Sequence, residues 1–388
     1  MRKNFNSSGC RKIVSIAALA CFSLIHVGSA QHLRELADQH DLLIGCQTGW
    51  GDFATDNPLN NARRKLIERE FNIHTGGASF SPKNLQPIKG VFSLERTDQI
   101  VSAIHAMQGG VKIHAAHLLG RNTYMPGWWV KDTNAASQQK LLESHIDKVV
   151  AHYRGKIDIW DVVNESLNAE GHFGRWHWGA NMGLKKIGME PMSNTDDHIP
   201  VFIRLAFERA EVNDPESVKI INENQNAALG EKHTEICYEM VEDLKNRSVP
   251  IDGVGFQLHL KVDEDGSLLN AKGDTFSING FKENMKRYET LGVDIYITEM
   301  DIQIPDTSES SYELQRKAYF DVVTACLSQP RCRAIMMWGS DDGNSWHADN
   351  FPTLFDANRQ NKPAYYGFQE ALQSFGERKV IKGQNSEP

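Results

Sequence analysis

Ile157-Asp158-Ile159-Trp160-Asp161-Val162-Val163-Asn164-Glu165 is an apolar-rich run that ends in two polar residues. A strand covered on both faces reads this way, without the strict alternation of a half-solvated sheet. The segment before it, Ser137 to Tyr153, carries Leu141, Leu142, Ile146, Val149 and Val150 on one helical stripe. The same pairing of helix and buried strand recurs along the chain. Candidate strands are Leu42–Cys46, Phe71–His74, Val111–Ala115, Ile157–Val163, Val218–Ile221, Gly253–Leu258, Asp294–Ile297 and Ala334–Trp338. Helical patterns cover Asp98–Met107, Ile199–Val212, His233–Lys245, Ile278–Leu291 and Tyr312–Leu327. Parallel strands need helical crossovers, and eight such units predict an α/β fold closed as a single-domain (β/α)8 TIM barrel. No G-x-G-x-x-G follows the first strand, which argues against a dinucleotide-binding sheet.

Composition narrows the function. The chain has 388 residues, 42 of them Lys or Arg and 50 Asp or Glu, for a formal charge of −8. That balance argues against a nucleic-acid binder, which needs a basic face. Arg2, Lys3, Arg11 and Lys12 precede an apolar stretch from Ile13 to Val27, and Gly28-Ser29-Ala30 supplies small residues before Gln31. Residues 1–30 therefore read as a secretory signal peptide, too short and interrupted for a membrane span. Removing its four cations takes the charge from −8 to about −12. The expected location is secreted or periplasmic, with no membrane contact after cleavage. Residues 31–377 then form one folded domain, and 378–388 a polar tail. Cys10 and Cys21 leave with the signal. Of the remainder, Cys326 and Cys332 can close a small loop around Pro330, while Cys46 and Cys237 either pair or stay as buried thiols.

In a barrel of this kind the functional residues stand at the C-terminal ends of the strands. The fourth strand ends in Asn164-Glu165, the sixth in Gln257 and His259, the seventh in Glu299 and the eighth in Trp338. The second and third end near His74 and His114 or His117. A single strand-end Glu is most often a solvated loop carboxylate. Two of them, on separate strands and beside aromatic platforms, suit glycoside hydrolysis, where one carboxyl protonates the leaving oxygen and the other works at the anomeric carbon.

These strings resemble those of family 10 glycoside hydrolases, the β-1,4-xylanase family. Trp160-Asp161-Val162-Val163-Asn164-Glu165 is similar to its acid/base signature. Ile297-Thr298-Glu299-Met300-Asp301-Ile302 is similar to its nucleophile motif, with Met300 for the usual Leu. Val249–Leu260 resembles the strand-six motif, Trp338-Gly339 with Asp342 and Ser345-Trp346 the final one, and Lys362-Pro363-Ala364-Tyr365 the closing helix. The resemblance runs from about Leu42 to Leu372. It implies Glu165 as general acid/base and Glu299 as nucleophile, with retention of configuration and carboxyl groups about 5–5.5 Å apart. Asn164 would hold the sugar 2-hydroxyl. His259 would orient Glu299 with Asp301 behind it, and Gln257 would reach the same carboxylate network. Trp338 would floor the reacting subsite and Trp346 would wall the glycone cleft. Cys326 and Cys332 match the family's usual disulfide.

The chain also departs from the family. Phe71-Asn72-Ile73-His74-Thr75 fits the second-strand motif, but Gly77, Ala78 and Ser81 stand where a Glu, an Asn and a Lys usually bind sugars on the non-reducing side. Asn222-Glu223-Asn224-Gln225 replaces Asn-Asp-Tyr-Asn. On the third strand, counting back from Pro126 puts His117 on the family's first His, Arg121 on its Trp and Asn122 on its second His. Counting forward from Gly110 puts His114 there instead. His117 joins the substrate-binding or supporting candidates. The segment 170–197, with Trp176, His177 and Trp178, reads equally as extra sugar platforms or as a self-packed loop. Trp50, Trp128 and Trp129 read more as core than as cleft walls.

The expected function is a retaining glycoside hydrolase acting on xylan or a related β-glycan, with an oligosaccharide or polysaccharide as its partner. The family's usual state implies a monomer. The alternative is a non-catalytic carbohydrate-binding barrel, which usually lacks one carboxylate. A metal-dependent hydrolase fits poorly, because no HxH or HExxH occurs among the fifteen histidines. Neither a cofactor nor a metal is expected.

Overall fold

The computed structural model describes residues 31–54, 56–167, 178, 190–191, 198–199 and 201–380. The signal-peptide reading of residues 1–30, and Trp176 and His177, lie outside the described residues. Eight strands form the body: β1 Leu43–Gln47, β2 Ile73–Thr75, β3 Lys112–Gly120, β4 Ile159–Asn164, β5 Val218–Glu223, β6 Gly253–Phe256, β7 Asp294–Gln303 and β8 Cys332–Met337. Each pairs in parallel with the next, and β8 pairs back to β1 through Leu43 opposite Ala334, so the sheet closes. The predicted (β/α)8 barrel is present, with all eight expected strands. β7 runs six residues beyond the expected Ile297, because its outer half pairs with a hairpin, His259–Val262 against Leu268–Asn270.

Local chemistry sets the helices between the strands. Asn134 caps the helix Ala135–Tyr153 by accepting from the Ser137 amide. Ser277 and Ser308 cap Ile278–Thr290 and Glu309–Leu327 in the same way. The polar run Asp306–Ser311 thus contains the cap and first turn of a helix. The first crossover helix, Pro58–Glu70, escapes apolar periodicity because its buried face includes Asn60, Arg63 and Glu70. Its cap, Asn57 before Pro58, is the signal that could have found it.

Ile73, Ile159, Ile220, Tyr296, Ala334 and Met336 come from five different strands and pack into one cluster inside the barrel. A larger shell fills the space between strands and helices, with Trp129, Trp160 and Phe256 fully buried. Trp178 belongs to this shell: its indole donates to the Gly120 carbonyl at 3.0 Å and packs on Trp129 and Phe202. It is core, not a sugar platform. Cys326 and Cys332 are bonded, tying the end of one helix to the start of β8 with 5.5 Å between their Cα atoms. Cys46 and Cys237 are separate buried thiols. Arg378 is anchored as well, donating to the carbonyls of His40, Gln329 and Cys332.

At the mouth, Arg63 joins the two ends of the barrel. Its guanidinium bonds Asp341, after β8, at 2.9 Å and Asp52, after β1, at 2.8 Å. All three side chains are almost fully buried. Removing one partner leaves buried charge uncompensated, which costs far more than losing an exposed pair. Arg63→Ala should therefore destabilise the protein by about 3–5 kcal/mol. Arg64→Ala, whose partner Asp56 is exposed, should cost under about 1 kcal/mol. Denaturant unfolding of the two variants checks the contrast, and equal losses would contradict it.

Candidate active site

The site is built outward from Asn222, at the mouth end of β5 and fully buried. Its amide donates to Glu299 Oε1 at 2.8 Å and to Asn164 Oδ1 at 3.0 Å. Its Oδ1 accepts from the Thr298 hydroxyl at 2.6 Å. Its backbone carbonyl accepts from the Glu165 amide at 2.9 Å. One residue thus ties β4, β5 and β7 together at the level of both carboxylates. Gly255 on β6 makes room for it: a Cβ there would lie 2.3 Å from Asn222 Oδ1.

Glu165 leaves β4 with φ +53°, a conformation that non-glycine residues seldom adopt. The residue is 6% exposed. Oε1 accepts from Gln257 and Asn224, each at 3.3 Å. Oε2 lies 2.7 Å from Arg121 Nε, at the end of β3. Burial pushes the Glu165 carboxyl above the ordinary carboxylate range; Arg121 pulls against this, while the Glu299 charge adds to it.

Glu299, on β7, is equally buried. Its second oxygen lies 3.5 Å from His259 Nε2. His259 Nδ1 in turn donates to Asp301 Oδ2 at 3.0 Å, and the Trp346 indole donates to that same oxygen at 2.7 Å. Burial opposes a charge on His259, but Asp301 and Glu299 outweigh it and raise the imidazole to about 10. That shift favours the imidazolium form of His259 in its place between Glu299 and Asp301. Trp346, 61% exposed, leans over the His259 ring with centroids 5.0 Å apart. Trp338 is partly exposed at the end of β8, where its amide donates to the Met300 carbonyl at 3.0 Å.

Of the residues expected from sequence, Glu165, Asn164, Gln257, Glu299, His259, Asp301 and Trp346 form one connected network. Gln257 reaches Glu165 and Asn164 rather than Glu299, whose amide donor is Asn222. His117 is buried, its ring packs on Tyr124, and burial lowers it to about 3. His74 and His114 are likewise buried and lowered to about 3, each against a threonine hydroxyl. Arg121, Asn222, Asn224 and Tyr124 were not singled out for this site by sequence. The Asn222 string was visible as a departure from a motif, and Arg121 only as an alignment position. Gly77, with φ +54°, would place any Cβ 2.5 Å from Gln47 Nε2, so Gln47 occupies the space a side chain at 77 would need. Among the described residues no group of three or more His, Cys, Asp or Glu is arranged to hold a metal ion.

A closed (β/α)8 barrel with two buried, separately wired carboxylates beside exposed indoles has the equipment of a glycosidase. Comparison with known proteins agrees. Residues 32–371 match the family model for glycosyl hydrolase family 10. Endo-1,4-beta-xylanase B of Thermotoga neapolitana is 30% identical over 88% of this chain and 91% of its own length. The crystal structure of native xylanase 10B from Thermotoga maritima superposes with a TM-score of 0.76 at 28% identity, covering 88% of this chain and 98% of that one. Xylanase 10B from Thermotoga petrophila, solved in complex with xylobiose, gives 0.75 at 27% identity, over 88% and 97% of the two chains. The chain belongs to glycosyl hydrolase family 10, whose members are retaining glycoside hydrolases.

The His259 ion pairs add stability fully present below the ordinary histidine value of 6.5 and lost as pH rises through about 10. His259→Gln should therefore lower the unfolding midpoint most at acidic and neutral pH, with the deficit shrinking toward pH 10. Thermal unfolding of both proteins across this range measures it. A deficit independent of pH would contradict the imidazolium.

Proposed function

We propose that the protein is a secreted endo-acting β-1,4-xylanase in which Glu165 is the general acid/base and Glu299 the nucleophile. The observation that carries this reading is the unequal wiring of the two buried carboxyls. Glu165 is raised by burial, which suits a proton donor, while Glu299 faces the Asn222 amide and the His259 imidazolium, which suits a carboxylate.

In the first step Glu299 attacks the anomeric carbon as Glu165 gives its proton to the glycosidic oxygen. The carbon–oxygen bond to the leaving sugar breaks and a glycosyl ester forms on Glu299. Water then attacks the same carbon, Glu165 takes its proton, and the sugar departs with its original configuration. Asn164 would hold the 2-hydroxyl, with its Oδ1 already engaged by Asn222 and Gln257 so that its amide points its donors elsewhere. Trp338 and Trp346 would face the sugar rings. Xylan as substrate is supported by the relatives, which are named as xylanases. Gly77, Ala78 and Ser81, small or neutral on the glycone side, favour a substrate read there by fewer charged contacts. Cleavage before Gln31, export and a monomeric catalytic domain complete the proposal, resting on the N-terminal pattern and on family habit.

Wild-type protein should release reducing sugar from β-1,4-xylan, with the β-anomer appearing first by NMR. Glu299→Ala should release none. Glu165→Ala should fall by about 10²–10⁴-fold on xylan and by less on an aryl glycoside whose leaving group needs no proton. Activity on aryl β-glycosides without release from xylan would move the substrate to another β-glycan. Undiminished activity in Glu299→Ala would overturn the assignment.

A further inference from the structure

The least expected contact at the site is the one between Arg121 and Glu165. Arg121 follows directly on β3, and its Nε lies 2.7 Å from Glu165 Oε2, while Gln257 and Asn224 occupy Oε1. The Nε–H donates to Thr123 Oγ1 at 3.2 Å, so the contact with Glu165 is an ion pair, and the guanidinium lies 5.6 Å from the Tyr124 ring centroid. Glu165 is almost fully buried, whereas the Arg121 side chain is 38% exposed. The pair thus sits at the boundary between the buried carboxylates and the open cleft.

The other charged or titratable groups facing Glu165 are few among the described residues. Glu299 on β7 and Glu223 on β5 add negative charge. Asp161, beneath them on β4, is itself pushed well up, by burial first and then by Glu299. His259, beyond Glu299, is committed to Glu299 and Asp301. Tyr124 is raised to about 12, by burial and then by Glu165 and Glu299, and stays neutral. Arg121 is therefore the cation in direct contact with Glu165, standing against burial and surrounding negative charge.

We propose that Arg121 is a positioning residue that binds the outer oxygen of Glu165 in the free enzyme and sets the alkaline limit of glycoside cleavage. This rests on the reading of Glu165 as the acid/base. A buried carboxyl among other carboxyls holds its proton too tightly to be a strong acid. The guanidinium stabilises the carboxylate left after proton donation, making Glu165 a better donor to a poor leaving group, at the cost of losing the proton at lower pH. An opposite charge at contact distance shifts a carboxyl by about 1–3 pH units, and the exposure of Arg121 places its effect toward the lower end.

The test is the basic limb of kcat/KM, which reports the acid in the free enzyme, measured on a xylo-oligosaccharide, whose sugar leaving group needs the proton, for a series that varies only charge at this position. The wild-type basic limb should lie at the lowest pH, with that of Arg121→Lys close to it. Arg121→Gln should move the limb up by about one pH unit, and Arg121→Glu further still. A merely structural role would lower activity without ordering the limb by charge. Should Arg121→Gln fail to fold, Arg121→Lys against Arg121→Glu keeps the comparison. Limbs that coincide across the series overturn the proposal. Glu165→Gln separates the two claims. If it retains the wild-type basic limb, Glu165 is not the titrating acid and the underlying reading fails. If it loses that limb while the charge series leaves it in place, only the role of Arg121 fails.

Discussion

The geometry of the site depends on one side chain, the buried amide of Asn222. An amide has few donors and acceptors, and here they are spent on Glu299, Asn164 and Thr298, while the same residue's carbonyl holds the Glu165 backbone. Three strands are fixed to one another at the height of the two carboxyls. The hydrogen bonds of a parallel barrel fix strands only along their backbones. Where the ladder ends, the side chains must complete the register, and Asn222 does so. Gly255 is the matching concession on β6, because any larger residue would collide with that amide.

Around this clamp the two carboxyls receive different treatment. Glu299 is bracketed by an amide and by an imidazolium that Asp301 stabilises from behind. Glu165 follows its strand at positive φ, is buried, and is met by two amides on one oxygen and a guanidinium on the other. Like groups placed in unlike surroundings can hold different protonation states at one pH, which is what a double displacement requires. Trp346, exposed on its outer side, is tied to this arrangement, since its indole bonds the same Asp301 oxygen that holds His259.

Much of this was legible in the sequence. The barrel followed from eight buried strands spaced by helices, the positions of Glu165, Glu299 and His259 followed from what ends each strand, and Asp301 came only from the family resemblance. What stayed hidden has a common physical cause. Arg121 and Asn222 matter through partners 44 and 77 residues away, Glu165 and Glu299, and pairing at that distance leaves no local pattern. The Pro58–Glu70 helix was missed because the residues it buries are partly polar, satisfied by groups from other elements. Trp178 could be read either as platform or as core until its indole was seen to cap a β3 carbonyl. The glycone departures were visible as Gly77, Ala78 and Ser81, but the reason for Gly77 was not, since it lies in Gln47 on the neighbouring strand.

The central claim is that Glu299 carries the glycosyl group through the reaction. The direct measurement is covalent trapping with a 2-deoxy-2-fluoro xylobioside bearing a good leaving group, followed by peptide mapping by mass spectrometry. The fluorine slows both steps and the leaving group restores only the first, so the intermediate accumulates. A single added fluoroxylobiosyl group on the peptide containing Glu299 is the predicted result. An adduct on Glu165 or any other residue, or turnover without an adduct, would contradict the account.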